Sequence, residues 1–556
     1  MVSAIYAGWA LQKAFSSEYV VQDDARVYLI WMQRFLDADL LRGDLIADYL
    51  QSVTPWGYAT LYRLMATVGI PPLLFSKLLP MVLGLLTTGY GFAVCLQLLP
   101  IPMAGFISTL LLNQSIWLKD DIVSATPRGF LYPLLLAFLY YLLKRSWLPV
   151  CLMTVLLALF YPVGGLLASG VLLLQLVMNA INQRFQNFKI QNPFSRKDYL
   201  FCLIGLGIVF LVMLAYVLSE SQYGPTVTAA EARTWREFLP GGRMPFFKDA
   251  DPFSFWLTDV HSSIGLDLNP LAIASGFLLP LLMRYPSRFP LVKQITSRIR
   301  ILPQLLLVSL CWFFTAHALL FRLYFPSRYM MHSLRIVLAL SAGIVLSAIW
   351  HTVFQGIEKR GLFRLGKRRL FTVILTLIAA FFIIFYPQVF WQRHFPETLY
   401  VVGEAPKLYE FLQKQPKDTV IASLAEEGSS IPIFAQRSTL VSKEYANPYH
   451  LGYYRQFRQR AIDLIQAQYS PKLSDVQRFI QKYRVSFLLL DSSAFTPQYL
   501  TSDRWRRQHE PAVSEAVANL EKGTIPALAQ VSDRCSVLQT EGLILLQAQC
   551  ILDAKK

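Results

Sequence analysis

Asp23 and Asp24 stand side by side just past the first apolar stretch of the chain, followed by the aromatic, half-polar run AlaArgValTyrLeuIleTrpMet. Acids at a membrane edge cost desolvation energy and point to function. A carboxylate in reach of a hydroxyl nucleophile can take its proton in a transition state. Asp24, one residue further from the apolar stretch, is the favoured base, with Asp23 close behind it. Asp120 and Asp121 open a second acidic stretch and could orient a substrate or support that base. Three arginines offer the complementary chemistry: Arg128 after Pro127, Arg243 after Gly241-Gly242, and Arg328 in TyrPheProSerArgTyr, flanked by Arg322 and Arg335. A planar guanidinium binds phosphate oxygens bidentately, so these are candidates to hold a leaving phosphate, Arg328 first. The bland alternatives are solvated acids, helix caps and arginines snorkelling to headgroups.

Such groups must be positioned by membrane elements. Of 556 residues, 54% are hydrophobic and only 16% charged, too apolar a balance for an ordinary soluble domain. Apolar stretches approaching the roughly 17–25 residues that cross hydrocarbon recur near 1–17, 76–97, 101–117, 129–143, 147–162, 163–181, 199–219, 269–284, 302–321, 334–354 and 370–389. About eleven transmembrane helices are expected, the first a retained helix rather than a cleaved signal. The basic clusters at Lys144-Arg145, at Arg184, Lys189, Arg196 and Lys197, at Arg284 to Arg300 and at 358–369 all fall on one side. The positive-inside rule makes that side, and the N-terminus, cytoplasmic. The net charge of +17 is therefore an orientation signal and a lipid-headgroup contact, and no nucleic-acid partner is expected.

The opposite face collects the acids at 18–75, the stretch 118–128, the loops 220–268 and 322–333, and everything after about 390. Residues 25–53 read as one or two helices lying on the membrane, and 55–69 as another with Pro55 at its start. Two parts are expected: a membrane module over 1–389 with juxtamembrane helices at 25–70, and an extracytoplasmic α/β domain over 390–556. In the latter, helical patterns at 406–415, 454–468 and 473–483 alternate with β-rich runs at 419–423, 439–442, 485–490 and 542–547. Cys535 and Cys550 flank a β-hairpin pattern and are expected to form a disulfide in an oxidising compartment, two unpaired core thiols being the alternative. No CxxC or HExxH occurs. His261, His317 and His332 read as structural, and Trp56, Trp117, Trp235 and Trp256 as interfacial anchors.

This pattern resembles the GT-C membrane glycosyltransferases. The likeness is carried by Asp23-Asp24, AspAspIleValSerAlaThrProArg at 120–128, ProSerArgTyr at 326–329 and the external domain. The resemblance implies an enzyme that moves a sugar from a polyprenyl-phosphate carrier to an acceptor on the extracytoplasmic face. It implies Asp24 or Asp23 as base, Asp120 and Asp121 in support, and Arg328, Arg128 and Arg243 at the donor phosphate. The partners are then a lipid-linked sugar and membrane lipid, with the acceptor a glycan, lipid or protein. The AspXxxAsp-type metal motif of the oligosaccharyltransferase branch is not convincing here, so no bound metal or other cofactor is predicted, with a divalent metal as the alternative. Short inner loops suggest a bacterial inner membrane. A transporter or lipid flippase, or a non-catalytic scaffold with a partner-binding domain, are the competing readings.

Overall fold

The computed structural model describes residues 1–185, 194–218, 222–358 and 367–554. Lys189, and residues 359–366 of the basic loop at 358–369, lie outside the described residues. Helix occurs at each of the eleven apolar stretches. Among the described residues five helices are long and apolar enough to cross a membrane: Pro72–Leu98, Pro162–Ile181, Arg196–Tyr216, Ser297–Ala318 and Ser327–Gln355. The other six are shorter or interrupted, such as Leu131–Lys144 with 14 residues and Leu271–Met283, which starts as 3-10 helix. The architecture is that of a multi-pass helical membrane protein.

A correction concerns the loop expected at 322–333. The sequence places 322–333 outside a span beginning at 334, but helix begins at Ser327. Ser327 anchors that start twice, its amide donating to the His261 carbonyl at 3.2 Å and its hydroxyl to the Val260 carbonyl at 2.6 Å. The polar run SerArgTyrMetMetHisSerLeuArg masks the helix from hydropathy because its polar groups face interior partners. Arg328, His332 and Arg335 recur at i, i+4 and i+7 and so share one face.

The juxtamembrane segment forms helices Asp23–Met32, Leu45–Val53 and Trp56–Thr67. The second is capped by Asp44, whose carboxylate accepts from the Ala47 amide at 2.8 Å. The third reaches the 118–128 loop: the Tyr58 and Tyr62 hydroxyls donate to the Ala125 carbonyl at 3.1 and 3.3 Å. Ala125 needs that clamp, since its φ of 51° is unusual for a residue with a Cβ. Trp117 is a correction: it is fully buried rather than an interfacial anchor, and its ring fills the space beside Gly84. Trp56 and Trp256 are exposed as anchors should be.

The C-terminal domain has a five-stranded sheet in which Ser438–Thr439, Val420–Ser423 and Phe487–Asp491 run parallel. Leu543–Gln547 and Ser536–Thr540 complete it antiparallel. Helices Pro406–Gln413, Leu451–Tyr469 and Leu473–Tyr483 alternate with the strands. The domain does not simply hang from the last helix. Its strand Tyr400–Val402 pairs antiparallel with Val20–Gln22, the residues that lead directly into Asp23. Tyr453 stacks on Tyr49 of the juxtamembrane segment with ring centroids 3.8 Å apart.

Cys535 and Cys550 are joined by a disulfide, tying the end of helix Ala527–Cys535 to helix Ala548–Asp553. The link spans a sequence separation of 15, and closing a loop of that size stabilises by about 3 kcal/mol in the chain-entropy account. Non-reducing peptide mapping should recover the two cysteines joined, and Cys535→Ser should lower the stability of this domain by about that amount. Free thiols in fresh membranes, or an unchanged unfolding midpoint, would contradict the link.

Candidate functional site

The strand Val20–Gln22 ends where helix Asp23–Met32 begins, so both acids occupy a helix first turn. Gln22, not an aspartate, caps that helix, its side chain accepting from the Ala25 amide at 3.0 Å. The carboxylates are left free for other partners. Asp23 pairs with Arg26 at 2.5 Å, one turn along. Asp24 pairs with Arg128 at 2.6 Å, and Arg128 also pairs with Asp120. Gln22 reaches Asp120 through its side-chain amide at 3.4 Å.

Behind this layer lies a second. Asp121 is buried, pairs with Arg335 and accepts from the Tyr132 hydroxyl at 2.8 Å. His332 Nδ1 contacts the same hydroxyl at 2.9 Å. Burial alone would raise the Asp121 carboxyl, but Arg335, His332 and Arg128 hold it well below the usual range. Burial instead wins at Asp120, which is pushed up with help from Asp24 and Asp121 against Arg128. Asp121 does not line the cavity described next, so its place is behind the site rather than in it.

Two cavities of about 550 and 630 Å³ flank the acidic pair. Asp23 and Arg26 line the smaller; Asp24, Asp120, Arg128 and Arg328 line the larger. Arg243 and Glu444 line both. Glu444, from the C-terminal domain, bonds Arg26 at 3.3 Å and Arg243 at 3.1 Å. No local pattern in the sequence marks Glu444 or Arg26, and neither was singled out there. Burial and the neighbouring Asp23 push the Glu444 carboxyl up to about 7, against the pull of Arg26 and Arg243. Gly241 and Gly242 do not cradle a ligand: a Cβ on Gly242 would lie 2.0 Å from the Arg236 carbonyl oxygen, so this is a tight turn that delivers Arg243.

Arg328 differs from its neighbours. It is 8% exposed, and its only hydrogen bond among the described residues is a long one, 3.6 Å to the Met331 sulfur. The other four guanidiniums of the site, on Arg26, Arg128, Arg243 and Arg335, all pair with carboxylates. His261 also lines the larger cavity, its ring 4.3 Å from that of Phe325. Burial and Arg328 lower it to about 4, so it is neutral at physiological pH. His317 and His332 are held in hydrogen bonds.

Ligand oxygens of Asp23, Asp24 and Glu444 lie within 4.8 Å of one another, the one grouping among the described residues that could hold a metal ion. Each of the three already has a guanidinium partner, and a cation would have to compete with those. At the far end of the bundle, Lys144, Arg145, Arg298 and Arg300 gather around a separate cavity. The acids and the basic loop ends are thus segregated to opposite ends.

No family profile and no curated protein matches the chain. Solved structures do. The oligosaccharyltransferase of Archaeoglobus fulgidus in its apo form superimposes with a TM-score of 0.51 at 12% identity, over 92% of this chain and 72% of that one. The same archaeal enzyme, AglB, solved with an inhibitory peptide and a dolichol-phosphate, gives 0.51 at 13% identity over the same shares. The chain therefore has a GT-C-like fold.

The raised Glu444 carboxyl makes a pH prediction. A group whose value in the fold lies above its ordinary 4.5 favours the fold when protonated. That contribution is complete below the ordinary value and is lost as pH rises through about 7. Between about pH 5 and pH 8 the wild type should therefore lose Tm relative to Glu444→Gln, whose amide cannot ionise. A Tm difference that stays flat across that range would refute the assignment.

Proposed function

We propose that the protein is a membrane glycosyltransferase that moves a hexosyl or pentosyl group from a polyprenyl-phosphate carrier to an acceptor on the extracytoplasmic face of the plasma membrane. Arg328 carries the reading. A buried cation without a counter-ion is costly, and this one lines a cavity beside Arg128, where a phosphate would compensate it. The fold is one in which an archaeal neighbour was captured with dolichol-phosphate, which supports a lipid phosphate here. Aromatic side chains in the cavity wall, including Tyr28, Tyr161, Tyr324 and Phe325, suit a sugar on that phosphate.

In this reading the acceptor hydroxyl gives its proton to Asp24 and its oxygen attacks the anomeric carbon with inversion. The bond from that carbon to the phosphate oxygen breaks, and the carrier phosphate leaves with the electron pair. Arg328 and Arg128 stabilise the charge that develops there. Arg128 couples the two halves. As it turns towards the leaving phosphate it releases Asp24 to take the proton. The smaller cavity on the Asp23 side then serves the acceptor. The basic loops lie in the cytoplasm and the C-terminal domain lies outside it.

Loss of a positioned base costs about two to four orders of magnitude. Asp24→Asn should lose that much turnover of a polyprenyl-phosphate sugar in nanodiscs, with Asp23→Asn milder. Arg328→Lys keeps the charge but not the fork, so it should raise the KM for the donor far more than that for the acceptor. Wild-type rates in all three variants would sink the proposal.

A further inference from the structure

We propose that Tyr449 of the C-terminal domain determines donor specificity by hydrogen-bonding a hydroxyl of the transferred sugar. This rests on the donor-site reading above. Tyr449 is 7% exposed and lines the larger cavity together with Asp24, Arg128 and Arg328. Its hydroxyl is buried and has no hydrogen-bond partner among the described residues.

Among the tyrosines of the described residues only Tyr199 shares that state. Tyr58, Tyr62, Tyr132, Tyr445, Tyr453 and Tyr454 are also buried near the site, and every one of their hydroxyls donates to a carbonyl or carboxylate. Buried polar atoms are paired as a rule, and an exception in a cavity wall marks where a ligand group belongs. Nor can the phenol swing away to find a partner. Its ring packs against Phe325 at 5.1 Å, Phe321 at 5.8 Å and Phe238 at 5.9 Å between centroids. Its backbone is pinned as well, the carbonyl accepting from the Val227 amide at 2.8 Å and the amide donating to the Asn447 side chain at 3.2 Å.

The chemistry of the surroundings selects the ligand group. A phosphate already has Arg328 and Arg128. A neutral phenol set among the rings of Tyr324, Phe325 and Phe321 instead fits a neutral ligand whose apolar face stacks while its hydroxyls are individually bonded. Sites that hydrogen-bond a substrate hydroxyl also reject analogues lacking it. Because Tyr449 belongs to the outer domain, that domain reads the sugar while the membrane helices hold the phosphate.

The test is Tyr449→Phe in the full-length protein, which keeps the ring and deletes only the hydroxyl. The donor is whichever polyprenyl-phosphate hexose or pentose the wild type turns over. Since the hydroxyl has no partner among the described residues, the variant's Tm should be unchanged or slightly raised. Its kcat/KM for the donor should fall about tenfold, the worth of one hydrogen bond, while affinity for bare polyprenyl phosphate stays at the wild-type value. Wild-type kcat/KM overturns the inference. So does a matching loss of affinity for bare polyprenyl phosphate, which would put the hydroxyl on the phosphate, and so does a drop in Tm that accompanies the loss of activity. Asp24→Asn separates the two proposals. If it is inactive while Tyr449→Phe is normal, only the Tyr449 assignment fails. If Asp24→Asn and Arg328→Lys are both normal, the donor-site reading fails and takes this one with it.

Discussion

One guanidinium shared by two carboxylates holds the site together. Arg128 lies between Asp24 and Asp120 and is the tie between the juxtamembrane helix Asp23–Met32 and the loop joining helices Pro102–Trp117 and Leu131–Lys144. Two acids this close would repel, and burial would protonate one of them, were the arginine absent. Breaking one partner out of such a pair costs about 3–5 kcal/mol when it leaves a buried charge behind. The same guanidinium is also the group an incoming anion would compete for. The interaction that assembles the site is therefore also the one a bound anion would loosen at Asp24.

The deeper ion pair fixes distance rather than charge. Asp121 and Arg335 join the 118–128 loop to the long helix Ser327–Glu358, with Tyr132 and His332 closing the network around them. Arg328 lies seven residues nearer that helix's start, about 10 Å along its axis. Pinning Arg335 to the residue after Asp120 therefore sets how far the unpaired guanidinium stands from the acids. Asp121 contributes by placement, although it neighbours Asp120 in sequence and looks equivalent to it there.

That asymmetry shows what a sequence discloses here. The acidic pair, the arginines and the outer helices could be read because their signals are local: adjacent acids at an apolar edge, prolines before arginines, period and composition. The strands at 420–423, 487–491 and 543–547 were legible for the same reason. Hydropathy located a helix at each of the eleven apolar stretches, and among the described residues five of these are long and apolar enough to cross a membrane. It missed the start at Ser327 because a polar helix face buried against partners looks like a loop. Trp117 misled in the same way, since an aromatic at the end of an apolar run looks identical whether it meets lipid or Gly84. Glu444, Arg26 and Tyr449 had no local signal. Glu444 lies 418 residues from Arg26, and only the docked domain makes it part of the site.

The docking is built from the same residues as the site, which explains why the chain keeps them together. Strand Val20–Gln22 is held by Tyr400–Val402, and the Asp23 amide itself donates to the Leu399 carbonyl at 3.1 Å. The helix start that presents both acids is thus aligned from outside the membrane module. Glu444 then bridges Arg26 and Arg243, which come from segments with no other reason to meet. Without the C-terminal domain, Asp23 and Arg26 would face open solvent, where an ion pair is worth little, and neither cavity would have its far wall. The membrane helices supply a cation with no carboxylate partner among the described residues, and the C-terminal domain supplies the enclosure that makes its charge count. The site therefore exists only where the two meet.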